Sequence, residues 1–286
     1  RSSCLGTCRQ SCGEQIVAFE IDATKNITIM LPTRGRPELA LKSMQSLIDT
    51  ADNVSEVEFM LCVDDDDQQT IDYVNDSIVP YFEEKDIDLT AYVMPRFGYG
   101  RLNEYVNHMA FNGKGKWLIT WNDDARMESS GWDTEIMLHD GEFRLLGFTD
   151  NHNQHPYAIF PIIPRDWIVL FGTVSPQQQL DAWTSQVSYL NDAFVRLKTV
   201  CTHDRADLTG NNDDEIYQTR VYHEGDITDP LDLNNPKFHV IKQQWAVKLD
   251  WYLKRIGQST GYLDKWTNGG IDCWTAMNKN DPNKQM

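Results

Sequence analysis

The stretch KGKWLITWNDDARM, residues 114–127, decides how this chain is read. An apolar, β-favouring run from Trp117 to Trp121 predicts a buried strand, and it stops abruptly at Asn122, Asp123 and Asp124. Adjacent carboxylates repel each other, so folding alone gives little reason for such a strand end. A divalent cation held there would give one. In an open parallel sheet, ligands gather beyond the carboxyl ends of the strands, which is where these three residues would lie.

Working outward, NITIMLP (26–32), VEFMLCV (57–63), LTAYVMP (89–95) and KWLITW (116–121) are predicted strands. Helix-sized segments separate them. Residues 37–51 place Met44, Leu47, Ile48 and Ala51 at helical spacing, with Pro37 in the first turn and Glu38 at the positive end of the dipole. Residues 69–84 predict a second helix, kinked or ended by Pro80. In 101–113, Leu102, Tyr105, Val106, Met109 and Ala110 share a face, and Gly113 closes the helix. This alternation implies right-handed crossovers and a mainly parallel sheet flanked by helices. The second half is less regular. Strands are expected at 157–164 and 167–173, a long helix at 176–197 with a break near Asn191, and a helix at 237–257 ending at Gly257. NNDDE (211–215) and HEGDITDPLDLNNP (223–236) read as polar loops, and no internal repeat is visible. The expected organisation is an extension over 1–25, a ligand-binding half over 26–135, and a less regular, partly helical remainder of the same domain over 136–286.

At 286 residues the chain can bury a sizeable core, and no run of about 18 apolar residues could span a bilayer. A soluble globular protein is expected. The net charge of −17 argues against a nucleic acid as the main partner, because phosphate backbones are held chiefly by Lys and Arg. An anionic ligand must therefore meet a local basic patch or a metal. Nine Trp are compatible with sugar stacking, although core and surface roles account for most aromatics. Cys4, Cys8 and Cys12 recur at four-residue spacing without matching a metal signature, and a lightly packed terminal segment is the expectation there. Cys62 reads as a small core residue. His152 and His155 are three apart, but their Asn, Gln and Pro neighbours say loop. The chain starts with Arg, which suits a processed product or part of a larger chain or assembly; nothing there resembles a signal peptide, and the compartment stays open with the cytoplasm slightly favoured.

Every predicted strand of the first half ends in polar and charged residues: PTRGRP (32–37), DDDD (64–67), RFGYGR (96–101) and NDDAR (122–126). This sets Arg34, Arg36, Arg96 and Arg101 near a cluster of carboxylates, as a ligand carrying both phosphate and metal would need. Hard oxygen ligands favour Mg2+ or Mn2+.

The order of ITIMLPTRGRP, FMLCVDDDD, NHMAFNGKGKWLITWNDD and GWD resembles the nucleotide-sugar-binding half of GT-A glycosyltransferases, especially the large inverting family, over roughly residues 26–135. The resemblance implies a Rossmann-like α/β fold. It implies that Pro32 and Thr33 form the turn after the first strand, that Asp64 and Asp65 contact the nucleobase and ribose, and that Asn107, eight residues before Gly115, belongs to the donor site. It sets Asn122 at the first Asp of the Asp-X-Asp motif, Asp123 at the variable position, and Asp124 at the second Asp, which ligates the metal. Asn122 departs from the pattern, since an amide brings no charge. The same resemblance implies that Asp181 is the base that deprotonates the acceptor, that His203 completes the metal shell, and that Trp132 lines the sugar pocket. Competing readings are a helix N-cap for Asp181, a surface histidine for His203 and a core residue for Trp132.

The expected activity is metal-dependent transfer of a sugar from a nucleoside diphosphate to a glycan or other hydroxyl-bearing acceptor. Arg34, Arg36 or Arg101 would bind the diphosphate. A sugar-1-phosphate nucleotidylyltransferase would want a Gly-rich loop after the first strand, where PTRGRP has one glycine. A non-catalytic carbohydrate-binding or structural domain of the same fold is the third reading.

Overall fold

The structure, a computed structural model, describes residues 23–150, 157–204 and 236–258. The first half follows the expected alternation: β1 (Lys25–Thr33), α1 (Pro37–Thr50), β2 (Val57–Asp64), α2 (Gln68–Tyr73), α3 (Val79–Glu84), β3 (Asp88–Met94), α4 (Leu102–Asn112) and β4 (Gly115–Thr120). These strands lie in the order β3-β2-β1-β4, and every pairing among them is parallel.

The period of two in β1 explains the layering. Ile27, Ile29 and Leu31 pack with Ala40, Met44 and Leu47 of α1, while Met30 on the other face joins Tyr105, Val106 and Met109 of α4. A strand covered on both faces has no polar side, which is why β2 is buried along its whole length. Each of these side chains contributes about 1.5–3 kcal/mol by leaving water. Two glycines bring α4 and β4 against β1. A Cβ at Gly113 would lie 2.8 Å from Thr28 Cγ2, and one at Gly115 would lie 2.4 Å from Thr28 N. Gly113 thus ends α4 with an ordinary φ of −64°, and its role is close approach rather than a left-handed cap.

The second half adds β5 (Ala125–Met127), α5 (Trp132–Met137), β6 (Leu145–Asp150), β7 (Ile162–Pro164), α6 (Asp166–Phe171), α7 (Leu180–Leu190), β8 (Phe194–His203) and α8 (Pro236–Arg255). The full order is β3-β2-β1-β4-β7-β6-β8-β5, with β7 and β5 antiparallel to their neighbours. The sheet is therefore mixed and mostly parallel.

Several expectations are corrected. Residues 167–173 do not form a strand: they supply most of α6, a short helix with Trp167, Ile168 and Leu170 buried and Gly172 in the left-handed region at its end (φ 75°). Packed between β7 and α8, it is apolar almost all round, so its pattern resembles a buried strand. Of the stretch 157–164, only Ile162–Pro164 is a strand. The long helix over 176–197 is α7 alone; Asn191 ends it, Asp192 turns the chain at φ 54°, and residues from Phe194 on belong to β8. Pro80 neither ends nor breaks its helix, because one wider π-type turn at Val74–Ile78 precedes it and Pro80 falls in the first turn of α3. Gly257 does close α8, with φ 73°. Cys62 is buried as expected.

Cys4, Cys8, Cys12, His152, His155, the NNDDE loop and most of 223–236 lie outside the described residues. No helix among the described residues is long and apolar enough to cross a membrane.

Candidate nucleotide and metal site

The carboxyl ends of β1, β2, β3 and β4 meet at one edge of the sheet, and the loop after β1 ties them together. Arg34 and Arg36 diverge from it, with Gly35 between them at φ 66°. Arg34 reaches toward β2, donating to Asp64 Oδ2 at 3.0 Å and also to Asp66. Arg36 reaches toward β4 and pairs with both oxygens of Asp123, at 2.8 and 3.2 Å. Gly35 N donates to Asp67 Oδ2 at 2.7 Å, and Asp67 also caps α2 by accepting from Thr70 N. The Arg-Gly-Arg sequence is a two-way clamp.

This arrangement revises the first inference drawn from the strand end. Folding does supply a reason for Asp123: its carboxylate, 3% exposed, accepts a hydrogen bond from Thr33 Oγ1 at 2.7 Å and is neutralised by Arg36. Asp124 has a different partner. Its side chain is 21% exposed, and His203 Nε2 stands 3.2 Å from its Oδ1. That oxygen is buried yet makes no aligned hydrogen bond, and His203 Nδ1 is likewise buried without one. Burial pushes the Asp124 pKa up, but the neighbouring His203 ring and Arg36 guanidinium bring it, on balance, below the ordinary carboxylate value. Asn122 completes the group, with Nδ2 at 3.4 Å from His203 Nε2.

His203 is brought here by pairing of β8 with β5, which sets it opposite Ala125. It is buried against the Phe160 ring, so it is no surface histidine. Ser43 of α1 fixes the β4 tip from below, donating to Asn122 O at 2.7 Å and accepting from Trp121 Nε1 at 2.8 Å.

At the other end of the edge, Asp64 is buried beneath Asp65 and Asp66, which are exposed. Arg96 N donates to Asp65 Oδ1 at 3.2 Å, and the Arg96 guanidinium lies 3.3 Å from Asp66. The hydrogen bond from Arg34 lowers the Asp66 pKa and the one to Asp66 raises that of Arg34. Arg101 is exposed, paired with Glu104 at 3.1 Å and lying over the Phe97 ring. Pro32 and Thr33 do not form a turn after the strand: both lie within β1, in register with Cys62 and Val63.

The remaining candidates are held by other contacts. Asn107 uses both ends of its amide on backbone, accepting from Val174 N at 2.9 Å and donating to Ser175 O at 3.2 Å, so it holds the lead-in to α7 against α4. Asp181 lies in the first turn of α7, two residues past the capping position Gln179; it is not the N-cap. Trp132 is fully buried, donates to Leu47 O at 3.0 Å and packs on Phe148, which makes it a core residue and not a pocket wall. Asp133 accepts from Asp52 N and Asn53 N.

A cation fits the Asp124 and His203 pair. The Asp124 carboxylate oxygen suits Mg2+ or Mn2+, the His203 imidazole nitrogen is a softer donor that suits Mn2+ better than Mg2+, and Asp124 Oδ1 is buried without an aligned hydrogen bond. Among the described residues no group of three or more His, Cys, Asp or Glu side chains is placed to hold a metal ion.

No family model matches the chain, and a search of curated proteins finds no match. Solved structures do match. The S. aureus TarS 1-349 complex with UDP-GlcNAc superposes with a TM-score of 0.51 at 14% identity, covering 90% of this chain and 80% of that one. The TarS 1-349 complex with UDP gives 0.50 at 13%, covering 80% and 72%. The mannosyltransferase PcManGT from Pyrobaculum calidifontis, in complex with GDP-Man and Mn2+, gives 0.50 at 13%, covering 90% and 80%. At these identities the likeness establishes the fold: the chain has the GT-A arrangement that the sequence resemblance implied.

Proposed function

We propose that this chain is a nucleotide-sugar glycosyltransferase that moves a sugar from a nucleoside diphosphate to an acceptor hydroxyl with inversion, using a divalent cation. The observation that carries the proposal is the Asp124 and His203 pair at the tip of β4, between the Arg36-clamped loop of β1 and the end of β8. The nucleotides in the similar structures, UDP, UDP-GlcNAc and GDP-Man, support the donor class, and the Mn2+ in one of them supports the cation.

The chain is acidic and its donor is an anion, so the leaving diphosphate needs local positive charge. Arg34 and Arg36 spend much of theirs on Asp66, Asp64 and Asp123. When bound to Asp124 and His203, the metal would neutralise charge on the leaving diphosphate. Arg101, exposed at the start of α4, would add charge-assisted hydrogen bonds to the same oxygens, as would Arg34 or Arg36. Asp65 would hold the nucleoside beside the end of β1 at Pro32 and Thr33, with the buried Asp64 supporting that edge through Arg34. Asn122 and Asp123 would shape the floor beneath the phosphates.

In the transfer itself, the acceptor oxygen bonds to the anomeric carbon while the bond from that carbon to the phosphate oxygen breaks. The bonding pair departs with the diphosphate, and the acceptor proton passes to the Asp181 carboxylate. The first turn of α7 favours the ionised form of that carboxylate through the helix dipole. Attack opposite the leaving group inverts the centre.

Incubation with Mn2+ and a panel of nucleotide sugars, followed by nucleotide release, tests the proposal. Asp124→Asn and His203→Ala are each expected to lower kcat/KM by about 100-fold. A wild-type protein that neither binds nor hydrolyses any donor would overturn it.

A further inference from the structure

Tyr105 entered the sequence pattern as one apolar position on the α4 face, and its ring does pack in the core. Its hydroxyl does something the pattern does not ask for. It donates to Asp64 Oδ1 and at the same time accepts from Phe97 N at 2.7 Å and Gly98 N at 3.3 Å. One buried oxygen thus joins the tip of β2 to the loop between β3 and α4.

That loop carries two of the cations at the donor edge. Phe97 meets the Tyr105 ring edge-on at 5.2 Å, and the Arg101 guanidinium lies 4.7 Å over the Phe97 ring. Arg96, one residue before Phe97, donates its backbone N–H to Asp65 and its side chain to Asp66. Asp64 meanwhile holds Arg34 through its other oxygen. Gly98 sits at φ 71° and contributes its N–H to the same hydroxyl, so the bend that starts the approach to α4 is closed by this contact. The hydroxyl is well suited to remain protonated as a donor, since desolvation and the bond to Asp64 push its pKa up to about 12.

We propose that Tyr105 is a positioning residue for the donor: through one hydroxyl it sets the buried Asp64 carboxylate that anchors Arg34, and the 96–101 loop that carries Arg96 and Arg101. This rests on the nucleotide-sugar reading of the same edge. The role is indirect, since Tyr105 is buried and acts through Asp64 and backbone.

Tyr105→Phe keeps the ring and removes the hydroxyl, leaving Asp64 short of a donor and two backbone N–H groups short of an acceptor. Calorimetry with UDP and GDP in the presence of Mn2+ is expected to show the Kd of the preferred nucleotide rising about tenfold or more, and donor KM rising with it while kcat falls much less. Tyr252→Phe is the control, because it removes a hydroxyl that donates to Asp166 at 2.6 Å far along the chain from this edge. It should lower thermal stability without changing nucleotide Kd. Amide exchange in the wild type gives a second readout, with the Phe97 and Gly98 amides expected to gain protection when nucleotide is added. Wild-type binding with an unchanged Kd in Tyr105→Phe, or unprotected Phe97 and Gly98 amides, would overturn the Tyr105 role alone. A wild type that binds no nucleoside diphosphate would overturn it together with the function it rests on.

Discussion

The Arg36 and Asp123 pair can be tested by a double-mutant cycle, and the structure gives its asymmetry in advance. Asp123 is 3% exposed and Arg36 30% exposed. Replacing Arg36 with Met leaves a buried carboxylate with the Thr33 hydroxyl as a neutral donor. Breaking a buried pair from one side costs about 3–5 kcal/mol when the remaining charge is trapped. Because this site opens partly to water at Arg36, the lower end, about 3 kcal/mol, is expected. Replacing Asp123 with Asn leaves an arginine that can swing into solvent, and the loss should be smaller, about 1.5–2 kcal/mol. The double variant should cost about as much as Arg36→Met alone or less, giving a coupling energy of about 1.5 kcal/mol or more. Urea unfolding followed by tryptophan fluorescence measures all four states. Additive effects, or an Asp123→Asn variant more damaged than Arg36→Met, would refute the reasoning, because either would mean that the carboxylate is not the trapped partner.

Three further outcomes are expected. Asp181→Asn should reduce kcat by about 100-fold or more while leaving donor KM unchanged, which steady-state kinetics with a varied acceptor would show. Asp67 and Glu135 both have pKa values below the ordinary carboxylate range: burial pushes each upward, but hydrogen bonds from the Thr70 side chain and Gly35 N, and from the Thr199 side chain and Lys198 N, outweigh it. A depressed folded-state pKa stabilises above the unfolded value and is lost on acidification, so melting temperature should fall as pH drops below about 4, and Thr199→Val should flatten part of that fall. Gly115→Ala should destabilise the fold by more than about 1 kcal/mol, measured by thermal melting, because the added methyl would press on backbone at Thr28 that cannot move aside without disturbing β1.

The first half was legible because β1, β2 and β4 are covered on both faces and therefore largely apolar, and because α1 and α4 show the helical period cleanly. The second half was not, and the reasons are local. A six-residue helix such as α6 is too short for its period to show, and β5 is three residues long and stabilised by pairing that no neighbour in sequence predicts. Helix α7 runs into β8 through a three-residue turn, so the apolar positions of both merge into one run. Of the site, the strand-end residues could be read from the sequence, but their partners could not: Arg36 and Asp123 are 87 positions apart. Tyr105 was hidden because a tyrosine whose ring completes a helix face gives no sign of where its hydroxyl points.

The pairing of β5 with β8 has a consequence for biosynthesis. Ala125–Met127 follows directly on the β4 tip, yet its partner strand emerges from the ribosome some 70 residues later and brings His203 with it. A nascent chain that has completed its parallel half would carry the Asp124 carboxylate without its histidine. Affinity at the proposed cation site should therefore appear only once β8 pairs with Ala125–Met127 and sets His203 beside Asp124.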